Sequence, residues 1–276
     1  MIETLIKNYE ILLILIVFAM LSGFFAGLFG AGGGMIIVPS LFYAFKIMNY
    51  DEQLLMHLAV ATSLAIIIPT SIISSYTHYR LGNIDKKLLK YLSVFIVIGI
   101  VFGSILTINL NTVNLLTLFS FYTLFSGIFL FIKKDKDENI SREIPNFLKC
   151  IYGIITGFVS VPLGIGGASI MVPIMKYYNY SIKIAIGTSA HIGIIISISA
   201  VISLAFGGEL VMKTEQPFTL GYINLLGLII FAPITIFMAP IGAKLVYRID
   251  KKILNKLFGI VLIIISLRSF YEVLNL

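Results

Sequence analysis

The stretch GLFGAGGGMIIVPSL, residues 27–41, decides how this chain is read. Gly30, Gly32, Gly33 and Gly34 stand inside a run that holds no Asp, Glu, Lys or Arg from residue 11 to residue 45. Such a run suits a membrane span, since about 20 apolar residues rising about 1.5 Å each cross about 30 Å of hydrocarbon. Glycine costs roughly 1 kcal/mol in a helix interior relative to alanine. A cluster of glycines should therefore end one helix and let another begin near Met35. The segment predicts a helix broken inside a bilayer.

The remainder of the chain agrees. Further charge-free runs cover 53–79, 91–132, 150–175, 184–208, 216–243 and 257–267. Of 276 residues, 59% are hydrophobic and 12% charged, with a mean hydropathy of +1.03. Soluble domains carry about 25% charged residues, so too little charge is present to cover a water-exposed surface. The runs are continuously apolar rather than alternating, which selects helices over a barrel. Residues 11–29 read as a retained span, because the run is long and a glycine cluster, not a cleavage site, follows it. Cys150 is the one cysteine, which excludes an intrachain disulfide and a cysteine-rich metal site. The net charge of +7 sits in short loops, where topology explains it better than nucleic acid does.

The opening motif returns. GAGGGMIIVP at 30–39 reappears as GIGGASIMVP at 164–173, an offset of 134 (164 − 30). Ala61-Thr62-Ser63 reappears as Gly187-Thr188-Ser189, an offset of 126 (188 − 62). Leu81-Gly82-Asn83-Ile84-Asp85 resembles Leu220-Gly221-Tyr222-Ile223-Asn224, an offset of 139 (220 − 81) that also pairs Gly103 with Gly242. The chain therefore divides into a first transmembrane repeat, 1–132, a hydrophilic cytoplasmic linker, 133–149, and a second repeat, 150–276.

Charge separates the repeats. The loop at 80–90 carries Arg80, Lys86, Lys87 and Lys90, and its counterpart at 219–229 carries no charge. Conversely 244–256 carries Lys244, Arg248, Lys251, Lys252 and Lys256, and its counterpart at 105–117 carries none. Basic loops stay cytoplasmic, so equivalent loops should lie on opposite sides. This predicts an all-α polytopic protein of two inverted repeats, each with an odd number of crossings. Five helices per half are expected, at 11–29, 35–48, 54–79, 87–108 and 113–132, then 147–163, 168–180, 183–206, 218–245 and 253–274. With 35–48 and 168–180 too short for certain crossings, the count is eight to ten spans, including glycine-broken or re-entrant helices. Two parallel four-span repeats would instead leave 244–256 outside.

The candidate site follows from these interruptions. Free N–H groups at a new helix start carry partial positive charge and suit an anion. Broken helices at corresponding positions of two halves point to a transporter's central site. Gly30, Gly32, Gly33, Gly34, Gly164, Gly166 and Gly167 are the backbone candidates; the competing reading is close helix packing, as for Gly23 and Gly27. Thr62, Ser63, Thr188 and Ser189 are the hydroxyl candidates. His191, three residues after Thr188, is the one ionisable group deep in an expected span, and its repeat counterpart is Ala65. His57 and His78 are expected near interfaces as surface or capping residues. No cluster of acids or metal ligands suggests catalysis, so no enzyme, cofactor or metal is expected. A phosphate loop is excluded by the missing strand and lysine.

Taken together, the segment 27–41, its echo GIGGASIMVPIM at 164–175, the Thr-Ser pairs and the RLGNID loop at 80–85 resemble the TauE/SafE family of sulfite exporter-like permeases, over roughly residues 10–272. The resemblance implies a cell-membrane transporter of small anions, with sulfite, sulfoacetate and related organosulfur compounds as the usual substrates and export as the usual direction. His191 stands where the family more often has a small apolar residue. The expected function is alternating-access secondary transport, with protons or another ion as candidate coupling partner and no nucleic acid. A passive anion channel and a permease for a non-sulfur anion are the alternatives.

Overall fold

The computed structural model describes residues 9–29, 33–132, 142–211, 216–245 and 251–276. Among the described residues are ten helices: α1 (Tyr9–Phe29), α2 (Gly34–Ile47), α3 (Leu55–Arg80), α4 (Lys86–Asn109), α5 (Thr112–Ile132), α6 (Asn146–Ser160), α7 (Ala168–Tyr177), α8 (Ile182–Val211), α9 (Leu225–Leu245) and α10 (Lys251–Val273). A two-residue hairpin, β1 (Thr219–Leu220) with β2 (Ile223–Asn224), precedes α9. Helices α3, α4, α5, α8 and the Leu225–Gly242 part of α9 are long and apolar enough to cross a membrane. The chain is an all-α, multi-pass membrane protein.

The outer surface is apolar, as a lipid-facing surface must be. Phe125, Phe237 and Ile229 are exposed on α5 and α9 at 70%, 73% and 66%. The interior, by contrast, holds many hydroxyls: Thr62, Ser63, Thr70, Ser71, Ser74 and Ser75 of α3 are all buried. The core remains largely apolar, with these hydroxyls set among Leu, Ile and Phe side chains, and the outside is apolar too because lipid, not water, meets it.

Helix ends are set by local chemistry. Asn49 and Asn179 adopt the left-handed conformation, at φ 56° and 62°. In each case the following tyrosine N–H reaches back five residues, Tyr50 to Phe45 O and Tyr180 to Met175 O. These are Schellman ends, with asparagine in glycine's place. Gly82 ends α3 the same way, Asn83 N–H bonding to His78 O at 3.1 Å. Asp85 then opens α4 by accepting from Leu88 N at 2.9 Å, and Asn224 opens α9 by accepting from Gly227 N at 2.9 Å. That cap and the hairpin turn at Gly221 start α9 at Leu225, later than the expected 218.

Pairings repeat with exchanged partners. α1 packs on α9 as α6 packs on α4; α2 packs on α3 as α7 packs on α8; α3 packs on α9 as α8 packs on α4. α3 pairs with α8 and α5 with α10. Glycines let these backbones touch. A Cβ at Gly23 of α1 would lie 2.6 Å from Thr235 Cα of α9, and one at Gly157 of α6 would lie 2.9 Å from Ile100 N of α4. α3 and α8 run antiparallel: Gly187, His191 and Gly193 lie against His78, Ser75 and Ser71 in turn.

Candidate functional site

Two helices begin inside the bundle without a side-chain cap. α2 starts after Gly33 and α7 after Gly167, and neither N-cap residue offers a side-chain acceptor. Gly33 O accepts from Ile36 N and Ile37 N at 2.9 and 3.0 Å, and Gly167 O accepts from Ile170 N and Met171 N at 3.1 and 2.9 Å. The first amides of each helix lie ahead of these bonds, where the helix dipole concentrates about half a positive charge. Lengths of 14 and 10 residues make α2 and α7 about 21 and 15 Å long, short of a full crossing.

The chain reaches these starts by turns that need glycine. Gly164 closes α6, its N–H bonding to Val161 O and the next N–H, Ile165, to Ser160 O, both at 3.0 Å. Its φ of 64° and the 76° of Gly167 lie in the left-handed region. Gly33 has φ 75°.

The two interruptions meet. A Cβ at Gly34 would overlap Gly164 O and lie 2.9 Å from Ile165 Cα. A Cβ at Gly164 would lie 3.1 Å from Val60 Cα on α3. Ser63 Oγ of α3 donates to Gly164 O at 2.8 Å. A Cβ at Gly193 of α8 would lie 2.8 Å from Ser71 Oγ and 3.2 Å from Gly166 O. Gly34, Gly164 and Gly166 thus gather between α3 and α8, Gly167 lies against Ile196 of α8, and Gly33 lies against Ser22 of α1. Gly30 and Gly32 lie outside the described residues.

Hydroxyls divide into two kinds. Thr62 Oγ1 accepts from Asn224 N at 2.8 Å and Thr188 Oγ1 accepts from Asp85 N at 2.9 Å. Each of these threonines anchors the loop of the opposite half, with its oxygen engaged by backbone. Ser189, Ser71, Ser160 and Thr156 are buried with no hydrogen-bond partner for the side-chain oxygen among the described residues. Ser160 Oγ and the Thr156 methyl face Gly167, whose Cβ would meet them at 3.4 and 3.1 Å. An unmade buried hydrogen bond costs about 1–3 kcal/mol, so several at one place suit a polar guest. Ser71, Thr156 and Ser160 were missed from sequence; the signal was their helical spacing in otherwise apolar runs.

Histidines correct the expectation. His57 and His78 are buried, 4% and 1% exposed, rather than surface residues, and His57 stands at the C-terminal cap of α4. His57 Nε2 lies 2.9 Å from Leu110 O and its ring stacks on Tyr222. His78 faces α8, and His191 contacts Ser75 Oγ. The Lys46–Glu272 pair lies about 18 Å along α2 from Gly34. No group of His, Cys, Asp and Glu that could hold a metal occurs among the described residues.

Comparison with known proteins agrees with this architecture. The family profile described as "Sulfite exporter TauE/SafE" matches residues 15–269. A "probable membrane transporter protein" of Haemophilus influenzae is 32% identical over 265 residues, covering 95% of this chain and 98% of that protein. One of the same description from Methanocaldococcus jannaschii is 29% identical over 268 residues, 94% and 97% of the two chains. Bacillus subtilis YdhB, also described so, is 31% identical over 253 residues, 88% and 93%. No solved structure gives a significant match.

Proposed function

The chain belongs to the TauE/SafE family and is a membrane transporter; on that footing we propose that it carries a small anion across the bilayer by alternating access. The meeting of the two glycine interruptions carries this reading: Gly34 lies against the backbone of Gly164, and neither α2 nor α7 has a side-chain cap. Two uncapped helix starts brought near each other by the Gly34–Gly164 contact favour negative charge without a lysine or arginine. Gly33, Gly34, Gly164, Gly166 and Gly167 would supply backbone and Ser189 a hydroxyl, while Ser63, whose proton is given to Gly164 O, would brace the turn. Thr62 and Thr188 would hold the framework, and His191 would stand one turn from Thr188.

The family description makes sulfite the first candidate, moved outward; sulfoacetate and related organosulfur anions are proposed beside it on the resemblance drawn from the sequence. The exchange of packing partners between α1–α5 and α6–α10 supports two repeats, 1–132 and 150–276, related by inversion across the membrane. α3 favours the same relation. Loop 81–85 follows its last residue, whereas the loop ending at Asn224 bonds to Thr62, about 27 Å back along the helix. Inverted repeats rocking about a central site are the usual basis of alternating access.

The test is flux in proteoliposomes holding the full chain. Sulfite, sulfoacetate, sulfate and thiosulfate are offered in turn under imposed ion gradients. Saturable uptake and counterflow are expected for at least one. Non-saturating flux would make the protein a channel, and no movement of any of the four would remove the sulfur-anion reading.

A further inference from the structure

A second polar feature leaves the glycine region in one direction only. Ser71, Ser74, Ser75 and His78 follow at helical spacing along α3, share a face, and are all buried. Across from them α8 brings Gly193 to Ser71, His191 to Ser75 and Gly187 to His78. The repeat reproduces only the first member of this stripe: at the offset of 126 (188 − 62), Ser71 matches Ser197, whereas Ser74, Ser75 and His78 match Ala200, Val201 and Leu204. The part beyond Ser71 is an addition to the scaffold, not a consequence of it.

The groups in this stripe are poorly satisfied. Ser75 Oγ is shared with the His191 ring, while Ser71 Oγ, Ser74 Oγ and both ring nitrogens of His78 have no hydrogen-bond partner among the described residues. His78 lies one helical turn beyond Ser75 on α3 and against Gly187, one turn before His191 on α8, so the two imidazoles occupy the same stretch of the helix pair. Two such rings in an apolar surround do not both ionise, but together they can hold a single proton.

Charged groups of the surrounding elements are engaged or distal. Asp85, at the head of α4, accepts from Leu88 N. Arg80 lies over the Tyr76 ring and Lys86 over Tyr79, at the exposed end of α3. Lys87 and Lys90 stand in the first turns of α4, Lys183 in the first turn of α8, and Lys176, Lys46 and Lys244 in the last turns of α7, α2 and α9. α5 carries no charge.

We infer that His78 and His191, which lie to either side of Ser75, bind one exchangeable proton that moves with the anion. The inference rests on the anion-carrier reading above. A bare anion buried at the glycines is costly, and so is a bare imidazolium; buried together, each compensates the other. The helix starts supply only partial positive charge, and the proton supplies the rest. By linkage, the anion must raise proton affinity by the factor by which the proton raises anion affinity. The proton is taken from water on one side and returned to water on the other.

The experiment measures protons and anions together, in liposomes holding the full chain and a trapped pH-sensitive dye. Sulfate, thiosulfate and sulfoacetate are the preferred probes, because they keep their charge over the histidine range of about pH 5 to 8. About one proton should accompany each anion carried by the wild type. In His78→Gln and in His191→Ala, the ratio of protons to anions should fall by about fivefold or more. Damage to the fold would lower both fluxes and leave their ratio unchanged. Anion movement without protons in the wild type, or an unchanged ratio in both variants, overturns the proton site and leaves the anion carrier standing. Absence of anion flux overturns both.

Discussion

Gly33 and Gly167 share one backbone conformation, φ 75° and 76°, in corresponding turns of the chain. A side chain in that region costs roughly 1–2 kcal/mol from the backbone alone. At Gly167 it would also overlap Ile196 Cδ1, and at Gly33 it would overlap Ser22 O. Gly33→Val and Gly167→Val should each lower anion flux at least tenfold; equal flux from folded protein would refute the site. Gly82 has a similar φ of 70° but nothing within 4 Å of an added Cβ. Gly82→Ala should therefore lose only backbone energy, about 1–2 kcal/mol in a thermal melt, with flux retained. The serines separate binding from stability in another way. Ser189→Ala removes a hydroxyl that has no partner among the described residues, so stability should hold or rise by about 1 kcal/mol. Ser63→Ala deprives Gly164 O of its donor and should destabilise by about 1 kcal/mol. Melting curves of the two variants in the same detergent decide this, and a weaker apparent anion affinity is expected of Ser189→Ala.

At the scale of elements, tight backbone approach does in lipid what apolar burial does in water. α1 on α9 and α6 on α4 are brought together at Gly23 and Gly157, where no side chain fits. Lipid tails are as apolar as leucine, so these contacts are held by packing at short range rather than by exclusion of water. Gly23→Ile and Gly157→Ile should each destabilise by about 1–3 kcal/mol. Equal losses in a thermal melt are expected, because the two sites occupy equivalent interfaces. A large loss at one and none at the other would mean that the halves are not packed alike.

For the whole molecule, the exchanged hydrogen bonds are the informative feature. Thr62 holds Asn224 of the far half, and Thr188 holds Asp85. Leu81 and Leu220, equivalent by the offset of 139 (220 − 81), are exposed at 52% and 53%. If the repeats are inverted, these two residues face opposite compartments. In a Cys150→Ser background, Leu81→Cys should react with an impermeant maleimide only from the cytoplasmic side, and Leu220→Cys only from the other. Labelling of both from one side would establish parallel repeats and require a different route for the anion.

Much of this was legible in one dimension. Membrane class, helix number and the position of each interruption follow from charge-free runs and glycine clusters, because lipid forces the backbone to satisfy itself locally. Even the short α2 and α7 could be read from spacing. What sequence could not supply was adjacency. His78 reads as a loop-proximal residue until α8 is seen to cover it, and nothing around Thr62 or Thr188 in the sequence tells that their oxygens accept from the backbone of the opposite half. Local periodicity determines which groups must leave water. Which of them meet is decided by helices packing far apart in the chain, and no window of sequence records that.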